Sequence, residues 1–141
     1  MNLLLPIKPR FAEAIMEGRK EVEFRKARFR HPVERAVIYA TAPRQEIVGL
    51  FEVCWLEYDC PDTIWNRHGR QGAISRRDFF RYYNGTELAC AMGVGEVTAF
   101  LKAFCPREHL GQFVIPQQFR YLRDLEVQAI LRVAEAHRQV S

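Results

Sequence analysis

The sequence predicts an α+β fold in which a small curved or closed sheet of about five to six strands has helices over its openings. The chain has 141 residues and is 48% hydrophobic, which fits one domain, 1–141, with a sizeable core. Strand-like apolar segments dominate the middle of the chain, whereas helical patterns occupy the connections and the C-terminal end. This separation is typical of an α+β fold.

No apolar run approaches the roughly 20 residues that a membrane-spanning helix needs. The first residues form a short apolar stretch without a basic leader, so they do not resemble a secretory signal. The sequence therefore predicts a cytoplasmic protein that does not use a membrane.

The first elements are a strand and a helix. Residues 3–7 are apolar and predict a strand. Pro9 follows and suits the first position of a helix, where its missing N–H costs nothing. Gly18 predicts the end of that helix, because a residue with positive φ is least costly as glycine.

The segment 18–26 predicts a glycine corner followed by a charged strand. Apolar Val22 and Phe24 alternate with charged residues, which is the period of a half-buried strand. One face would carry Lys20, Val22, Phe24 and Lys26, and the other Glu21, Glu23 and Arg25. Such a charged face is usually solvated, with ion pairs worth a fraction of a kcal/mol. The alternative to a solvated face is that these charged side chains form a binding site.

Long strands fill the centre of the chain. Residues 35–41 predict a central strand, and 46–58 predict a longer one that joins it in a hairpin. Gly49 lies inside the second strand and predicts a bulge or a close approach of two backbones. Another strand is predicted within 87–104.

The connection before the last long strand predicts a loop and a helix. Gly69 and Gly72 bracket an expected mobile loop, and Ser75 stands three residues before Asp78 as in a capping box. The helix 76–83 would bury Phe79, Tyr82 and Tyr83 and leave Arg76, Arg77 and Arg81 outward.

The remaining segments predict short helical pieces and a closing helix. The helical pieces cover 61–65 and 106–111, an extended segment covers 115–122, and a helix covers 124–137. The core-facing stripe of the last helix would be Val127, Ile130, Leu131 and Ala134.

The cysteines and glycines exclude two kinds of site. The four cysteines are widely spaced, so no metal site is predicted and they are expected to be mostly small core residues. They are Cys54, Cys60, Cys90 and Cys105. Gly93 and Gly95 lack the third glycine of a dinucleotide fingerprint, so no cofactor is predicted.

The charge is concentrated in two segments. The formal net charge is +4, yet 8–35 and 67–81 carry +4 each and the remainder −4. Basic patches attract phosphate backbones, although solvated surface cations or an acidic partner explain the same pattern. Phe29, beside Arg28, could stack on a base or anchor a loop.

Four residues carry a resemblance. Gly18, Lys20, Glu23 and Arg25 match a Gly-x-Lys-x-x-Glu-x-Arg pattern, which resembles the signature of the ASCH domain family of the PUA-like superfamily, in its stand-alone bacterial form. The resemblance implies a small β-barrel with capping helices and a cleft for RNA or a nucleotide-like ligand. Lys20 and Arg25 would meet a phosphate there, while Glu23 would either accept hydrogen bonds from a base or ribose or simply orient the two cations.

The resemblance leaves catalysis open. Small ASCH-like amidohydrolases that deacylate N4-acetylcytidine share the lysine and arginine, but they use a threonine nucleophile where this chain has Glu23. Ribonuclease activity is the other possibility, with Lys20 as base and Arg25 or Arg19 stabilising the developing charge. Catalytic residues, if any, would be Lys20 and Glu23. The predicted ligand-binding residues are Arg19, Lys20, Glu23, Arg25, Arg28, Phe29, Arg76, Arg77 and Tyr83.

Overall fold

The computed structural model describes residues 1–140, with side chains described up to His137. Over this range the strands are β1 (Asn2–Ile7), β2 (Val22–Arg25), β3 (Arg35–Ala40), β4 (Glu46–Asp59), β5 (Ala89–Phe104) and β6 (Arg120–Leu122). The helices are α1 (Pro9–Met16), α2 (Pro61–His68), α3 (Arg76–Tyr82), α4 (Pro106–His109) and α5 (Asp124–Val140), and Gly69–Gln71 form a 3-10 turn.

The six strands form one mixed sheet in the order β2-β5-β4-β3-β1-β6. β1 and β3 pair in parallel, and the other neighbouring pairs are antiparallel. This architecture confirms the predicted α+β fold, including the expected number of strands. Among residues 1–140 no ladder joins β2 to β6, so the sheet is open between these two edge strands.

Side chains connect the two edges of the sheet. Phe29, which follows β2, packs edge-on against Phe119 with 4.8 Å between ring centroids. The backbone N–H of Arg30 donates to the hydroxyl of Tyr121 in β6 at 3.0 Å. The sheet therefore curves until its edges are close enough for such contacts.

Gly49 produces the predicted irregularity in β4. The register of β4 against β5 shifts between Ile47 and Gly49. A Cβ at Gly49 would lie 2.4 Å from the carbonyl oxygen of Thr98, closer than real side chains allow. The backbones of β4 and β5 approach closely here, and this requires glycine.

Three apolar clusters form the core. Leu5, Ile15 and Phe51 represent the cluster that joins α1 to the sheet. Leu4 and Ile130 represent the cluster under α5. The third joins α3 to β2 and contains Val22, Phe24, Phe79 and Tyr83. It brings the basic helix α3 beside the charged segment 18–26.

The capping prediction for α3 is confirmed, whereas one burial prediction there is wrong. The backbone N–H of Asp78 donates to Ser75 Oγ at 3.1 Å. Phe79 and Tyr83 are buried, but Tyr82 is 37% exposed. Because Phe79 and Tyr83 are four residues apart, they face β2 together, and Tyr82 lies on the flank of the helix.

Other burial predictions are wrong for similar reasons. Leu131 is 36% exposed on α5, whereas Val133 packs against the core in its place. Of the cysteines, Cys90 is buried, whereas Cys54 and Cys60 are exposed. Cys54 lies on the outward face of β4 and Cys60 precedes α2, so neither position reaches the core.

The expected mobile loop is instead a packed turn. Gly69 and Gly72 are both buried around the 3-10 turn. A Cβ at Gly69 would lie 2.6 Å from the Trp65 ring, and one at Gly72 would lie 2.2 Å from the Phe24 ring. These glycines allow aromatic rings to approach the backbone. None of the helices within 1–140 is long and apolar enough to span a membrane.

Candidate functional site

A cleft of about 570 Å³ lies where α1, α3 and the segment 117–118 meet the ends of β1 and β2. Its charged lining consists of Lys8, Arg10, Lys20, Arg25, Lys26 and Arg81, with the carboxylates Glu23 and Asp78. Its aromatic lining consists of Phe11, Phe24, Phe79 and Tyr82. We call this the first cleft. It combines an excess of positive charge with aromatic walls.

Three residues of the Gly-x-Lys-x-x-Glu-x-Arg pattern form a buried ion-pair triad inside the first cleft. Glu23 lies between two cations, with Oε1 3.4 Å from Lys20 Nζ and Oε2 3.3 Å from Arg25 Nη1. The exposed fractions of the side chains are 2% for Lys20, 6% for Glu23 and 13% for Arg25. The expectation of a solvated charged face is therefore wrong at Glu23 and Arg25.

Lys20 is held on several sides. Its Nζ donates to the carbonyl oxygen of Gly72 and lies 4.9 Å from the ring centroid of Phe11 and 5.2 Å from that of Phe24. Burial lowers the pKa of Lys20 from its usual value, while the adjacent Glu23 opposes that shift. β2 begins only at Val22. Lys20 therefore precedes the strand and turns toward Glu23, contrary to the face that strict alternation predicts.

Arg25 connects separate parts of the chain. Its Nη1 donates to the carbonyl oxygen of Pro6 at 3.2 Å, and its Nη2 donates to the carbonyl oxygen of Gln118. Pro6 belongs to β1, and Gln118 shortly precedes β6. The guanidinium thus bridges β2 to the opposite edge of the sheet and forms part of the cleft floor.

Exposed cations surround the mouth of the cleft. Lys26 Nζ lies 4.6 Å from the ring centroid of Tyr82. The Arg10 guanidinium lies 4.6 Å from the ring centroid of Phe11, with one nitrogen 4.0 Å from a carboxylate oxygen of Asp78. Cations over aromatic rings keep their charge accessible to an anion.

Several predicted ligand residues lie outside this lining. Arg19 is exposed and pairs with Glu17 at 2.7 Å. The Arg28 guanidinium lies 5.0 Å from the ring centroid of Tyr58. Phe29 packs against Phe119 as a loop anchor, which is one of the two roles that its sequence allows.

The helix α3 contributes different residues from those predicted. The Arg76 guanidinium lies 4.8 Å from the ring centroid of Phe80, away from the first cleft, and exposed Arg77 is also outside its lining. Tyr83 is buried and donates its hydroxyl to the carbonyl oxygen of Arg25 at 2.8 Å. Burial raises the pKa of Tyr83.

Sequence reasoning missed most of the residues around the mouth of the cleft. They are Lys8, Arg10, Lys26, Arg81, Tyr82, Gln117 and Gln118. The helical period of α3 places Arg81 and Tyr82 together on the flank opposite Arg76, and this period was an available signal. Nothing in the local pattern indicates that Gln117 and Gln118 approach β2.

Within the described part of the chain, no group of three or more His, Cys, Asp and Glu residues is arranged to hold a metal ion.

Comparison with known proteins gives a clear relationship. No family model matches the chain. The ASCH domain-containing ribonuclease of Zymomonas mobilis is 31% identical over 129 residues, which cover 87% of this chain and 85% of that protein. The crystal structure of ASCH from Zymomonas mobilis superposes with a TM-score of 0.84 at 29% identity and covers 94% of both chains.

A further match is confined to one part of a larger protein. The ATP synthase subunit alpha of Ureaplasma parvum serovar 3 is 29% identical over 126 residues, and this chain spans 15% of its length. The Zymomonas relationship, by contrast, extends over most of both proteins. On that similarity, which covers most of both proteins, and with Lys20, Glu23 and Arg25 gathered in one cleft, this chain belongs to the ASCH domain family.

Proposed function

We propose that this protein binds single-stranded RNA and holds a nucleotide of it in the first cleft. The observation that carries the proposal is the lining of a cleft of about 570 Å³ by six basic side chains, two carboxylates and four aromatic rings. Lysine and arginine neutralise phosphates, and aromatic side chains stack on unpaired bases. The Zymomonas relative carries the name ribonuclease, and RNA is the substrate of such an enzyme.

The two groups of cations have different roles in this proposal. Lys26 and Arg81 are exposed at the mouth, where they can reach a phosphate. Lys20 and Arg25 are already paired with Glu23 and bonded to backbone carbonyls. The buried triad therefore shapes the floor of the cleft, and the exposed cations supply most of the attraction for RNA.

The test compares two double variants that remove equal charge. Lys26→Ala with Arg81→Ala removes two cations of the first cleft, whereas Arg44→Ala with Arg107→Ala removes two exposed cations outside it. Binding of a fluorescent single-stranded RNA is measured by anisotropy over a range of salt concentrations. For single strands, each lost phosphate contact lowers the slope of log K against log salt by about 0.7.

We expect the cleft variant to bind more weakly, with a slope reduced by about 1.4, and the control variant to keep the parental slope. Equal weakening in both variants would mean that net charge alone attracts RNA. That result would refute the placement of the RNA in the first cleft.

The second candidate function is hydrolysis of RNA, and the observation that favours it is the buried amine of Lys20 with its lowered pKa. A lysine whose pKa is lowered by burial loses its proton more readily and can then act as a general base. Neutral Lys20 would take the proton of a ribose 2′-hydroxyl, and the 2′-oxygen would attack the adjacent phosphorus. The 5′-oxygen would leave with the proton returned from Lys20, producing a 2′,3′-cyclic phosphate.

Lys20→Arg separates this reaction from binding, because arginine is a cation that does not deprotonate in proteins and so cannot act as the base. Hydrolysis predicts that Lys20→Arg still binds RNA but no longer shortens it, and that a DNA strand of the same sequence remains intact. N4-acetylcytidine is included as an acylated nucleoside substrate. If the parent protein, shown to be folded by circular dichroism, leaves the RNA panel and N4-acetylcytidine unchanged, hydrolysis is excluded and the binding function remains.

A further inference from the structure

A second cleft of about 620 Å³ adjoins the first, and Lys20 lines both. Its walls come from β4, the end of α2 and the backbone of β5 at Gly93–Gly95. The lining of the second cleft includes one tryptophan, Trp55, and one histidine, His68, and neither residue lines the first cleft.

Trp55 lies in β4 and is 38% exposed, a large exposed fraction for an indole. The ring lies across Gly93 of the neighbouring strand, where a Cβ would be 2.3 Å from the indole nitrogen. Glycine at this position therefore lets the indole lie flat against the strand. The exposed part of the indole lines the second cleft.

His68 packs against this indole. Its ring lies 4.7 Å from that of Trp55 between centroids, with 31° between the ring planes. Its buried Nε2 lies 3.4 Å from Glu57 Oε1. His68 therefore covers part of the indole, and the rest of the indole remains exposed to the cleft.

Glu57 holds the polar side chains in place. Its Oε2 accepts a hydrogen bond from Arg67 at 2.9 Å, and that contact lowers the pKa of Glu57. Its other oxygen faces His68. A carboxylate that fixes two neighbouring side chains orders them before a ligand arrives, which lowers the entropic cost of binding.

The charges around this cleft nearly cancel. Lys20 and Arg67 are the cations of the lining, and each already has a carboxylate neighbour, Glu23 and Glu57 respectively. Glu21 adds a further carboxylate to the lining. A phosphate therefore gains little here, and an uncharged planar ring with hydrogen-bonding edges fits better.

We infer that the second cleft binds a nucleobase, which packs against the exposed part of Trp55. This is a site separate from the RNA-binding cleft of the proposed function. The base could belong to an RNA strand or to a free nucleoside. Because the lining is nearly neutral, binding of a nucleoside here should not depend on salt, in contrast to RNA binding in the first cleft.

The experiment uses the intrinsic fluorescence of Trp55. The chain has two tryptophans, and Trp65→Phe leaves Trp55 as the only reporter. This variant is titrated with adenosine, cytidine and uridine, and with single-stranded RNA, at low and high salt. We expect quenching by at least one nucleoside or by RNA, with the nucleoside affinity unchanged by salt.

Two variants decide where the nucleoside binds. In equilibrium dialysis with a radiolabelled nucleoside or RNA, Trp55→Leu should weaken binding by roughly 5- to 150-fold. This is the range for losing one base–aromatic stacking contact. Trp55→Phe keeps an aromatic ring and should lose less. Lys26→Ala with Arg81→Ala should leave nucleoside quenching unchanged, even if it abolishes RNA binding.

Each result separates the possibilities. Quenching by nucleosides supports a site for the free ligand, and quenching by RNA alone supports a base within a strand. No quenching by either would overturn the inference. Unaltered nucleoside or RNA affinity in Trp55→Leu would overturn it too, as would loss of nucleoside quenching in the first-cleft variant, since the ligand would then bind elsewhere.

Discussion

Glu23→Gln tests whether the buried triad is an electrostatic unit. The substitution keeps the size of the side chain and removes the charge that lies 3.4 Å from Lys20 Nζ and 3.3 Å from Arg25 Nη1. At an effective dielectric constant of about 20, each contact is worth roughly 5 kcal/mol before desolvation. Relief of the carboxylate's desolvation offsets several kcal/mol of that loss.

The net result is an expected destabilisation of about 3–5 kcal/mol, typical of a buried charge that loses its partner. For a chain of this size that corresponds to a decrease in Tm of roughly 10–20 °C. Urea unfolding followed by circular dichroism measures the free energy of unfolding directly.

Glu46→Gln is the matched control. Glu46 pairs with Arg44 at 3.2 Å, but the two side chains are 33% and 38% exposed. Such surface pairs contribute about 0–1 kcal/mol. If Glu23→Gln changes the free energy of unfolding no more than Glu46→Gln does, the triad is not a coupled buried unit and the argument fails.

A double-mutant cycle adds a second measurement. Lys20→Met with Glu23→Gln should cost less than the sum of the two single variants, because each single variant leaves an unpaired buried charge. The coupling free energy should be roughly 0.5–3 kcal/mol. Strict additivity would contradict the 3.4 Å contact as an energetic interaction.

Three further predictions concern stability. The pKa of Glu126 is lowered to about 2, chiefly by Arg120. Glu126→Gln should therefore lower the free energy of unfolding by at most about 3 kcal/mol at neutral pH and by almost nothing near pH 2, as measured by urea unfolding. Gly72→Ala places a methyl group within 2.2 Å of the Phe24 ring and should lower stability by about 1–3 kcal/mol; an unchanged Tm would show that the ring moves freely. Burial lowers the pKa of Lys20 in the folded protein below its ordinary value of about 10.5, which applies in the unfolded chain. At pH values between these two pKa values the unfolded chain binds more protons than the folded protein, so the stability of the parent relative to Lys20→Met should rise with pH there.

Local patterns were sufficient for most of the secondary structure. The position of Pro9 and the corner at Gly18 bounded α1, and the spacing of Ser75 and Asp78 located the start of α3. Gly49 indicated the bulge in β4. Each signal depends on backbone conformation or on contacts within a few residues, so the sequence alone contains it.

Burial of individual residues was less predictable. Tyr82 and Leu131 are apolar residues on amphipathic helices, yet each lies at the flank of its buried stripe. Because Gly72 is a glycine, the sequence predicted a mobile loop there, but in the structure this glycine leaves room for the Phe24 ring to approach the backbone. The neighbours that determine burial come from distant segments, and their approach is set by packing.

The sequence by itself determined the fold class, because alternation and capping are local, and the resemblance of its Gly-x-Lys-x-x-Glu-x-Arg pattern to a family signature singled out the residues of the triad. Only the tertiary structure decided that Glu23 is buried between two cations. It also decided that Arg81 lines the first cleft and that Arg76 does not. The physical reason is that a cleft forms between segments far apart in sequence, so sheet curvature and helix packing fix its lining.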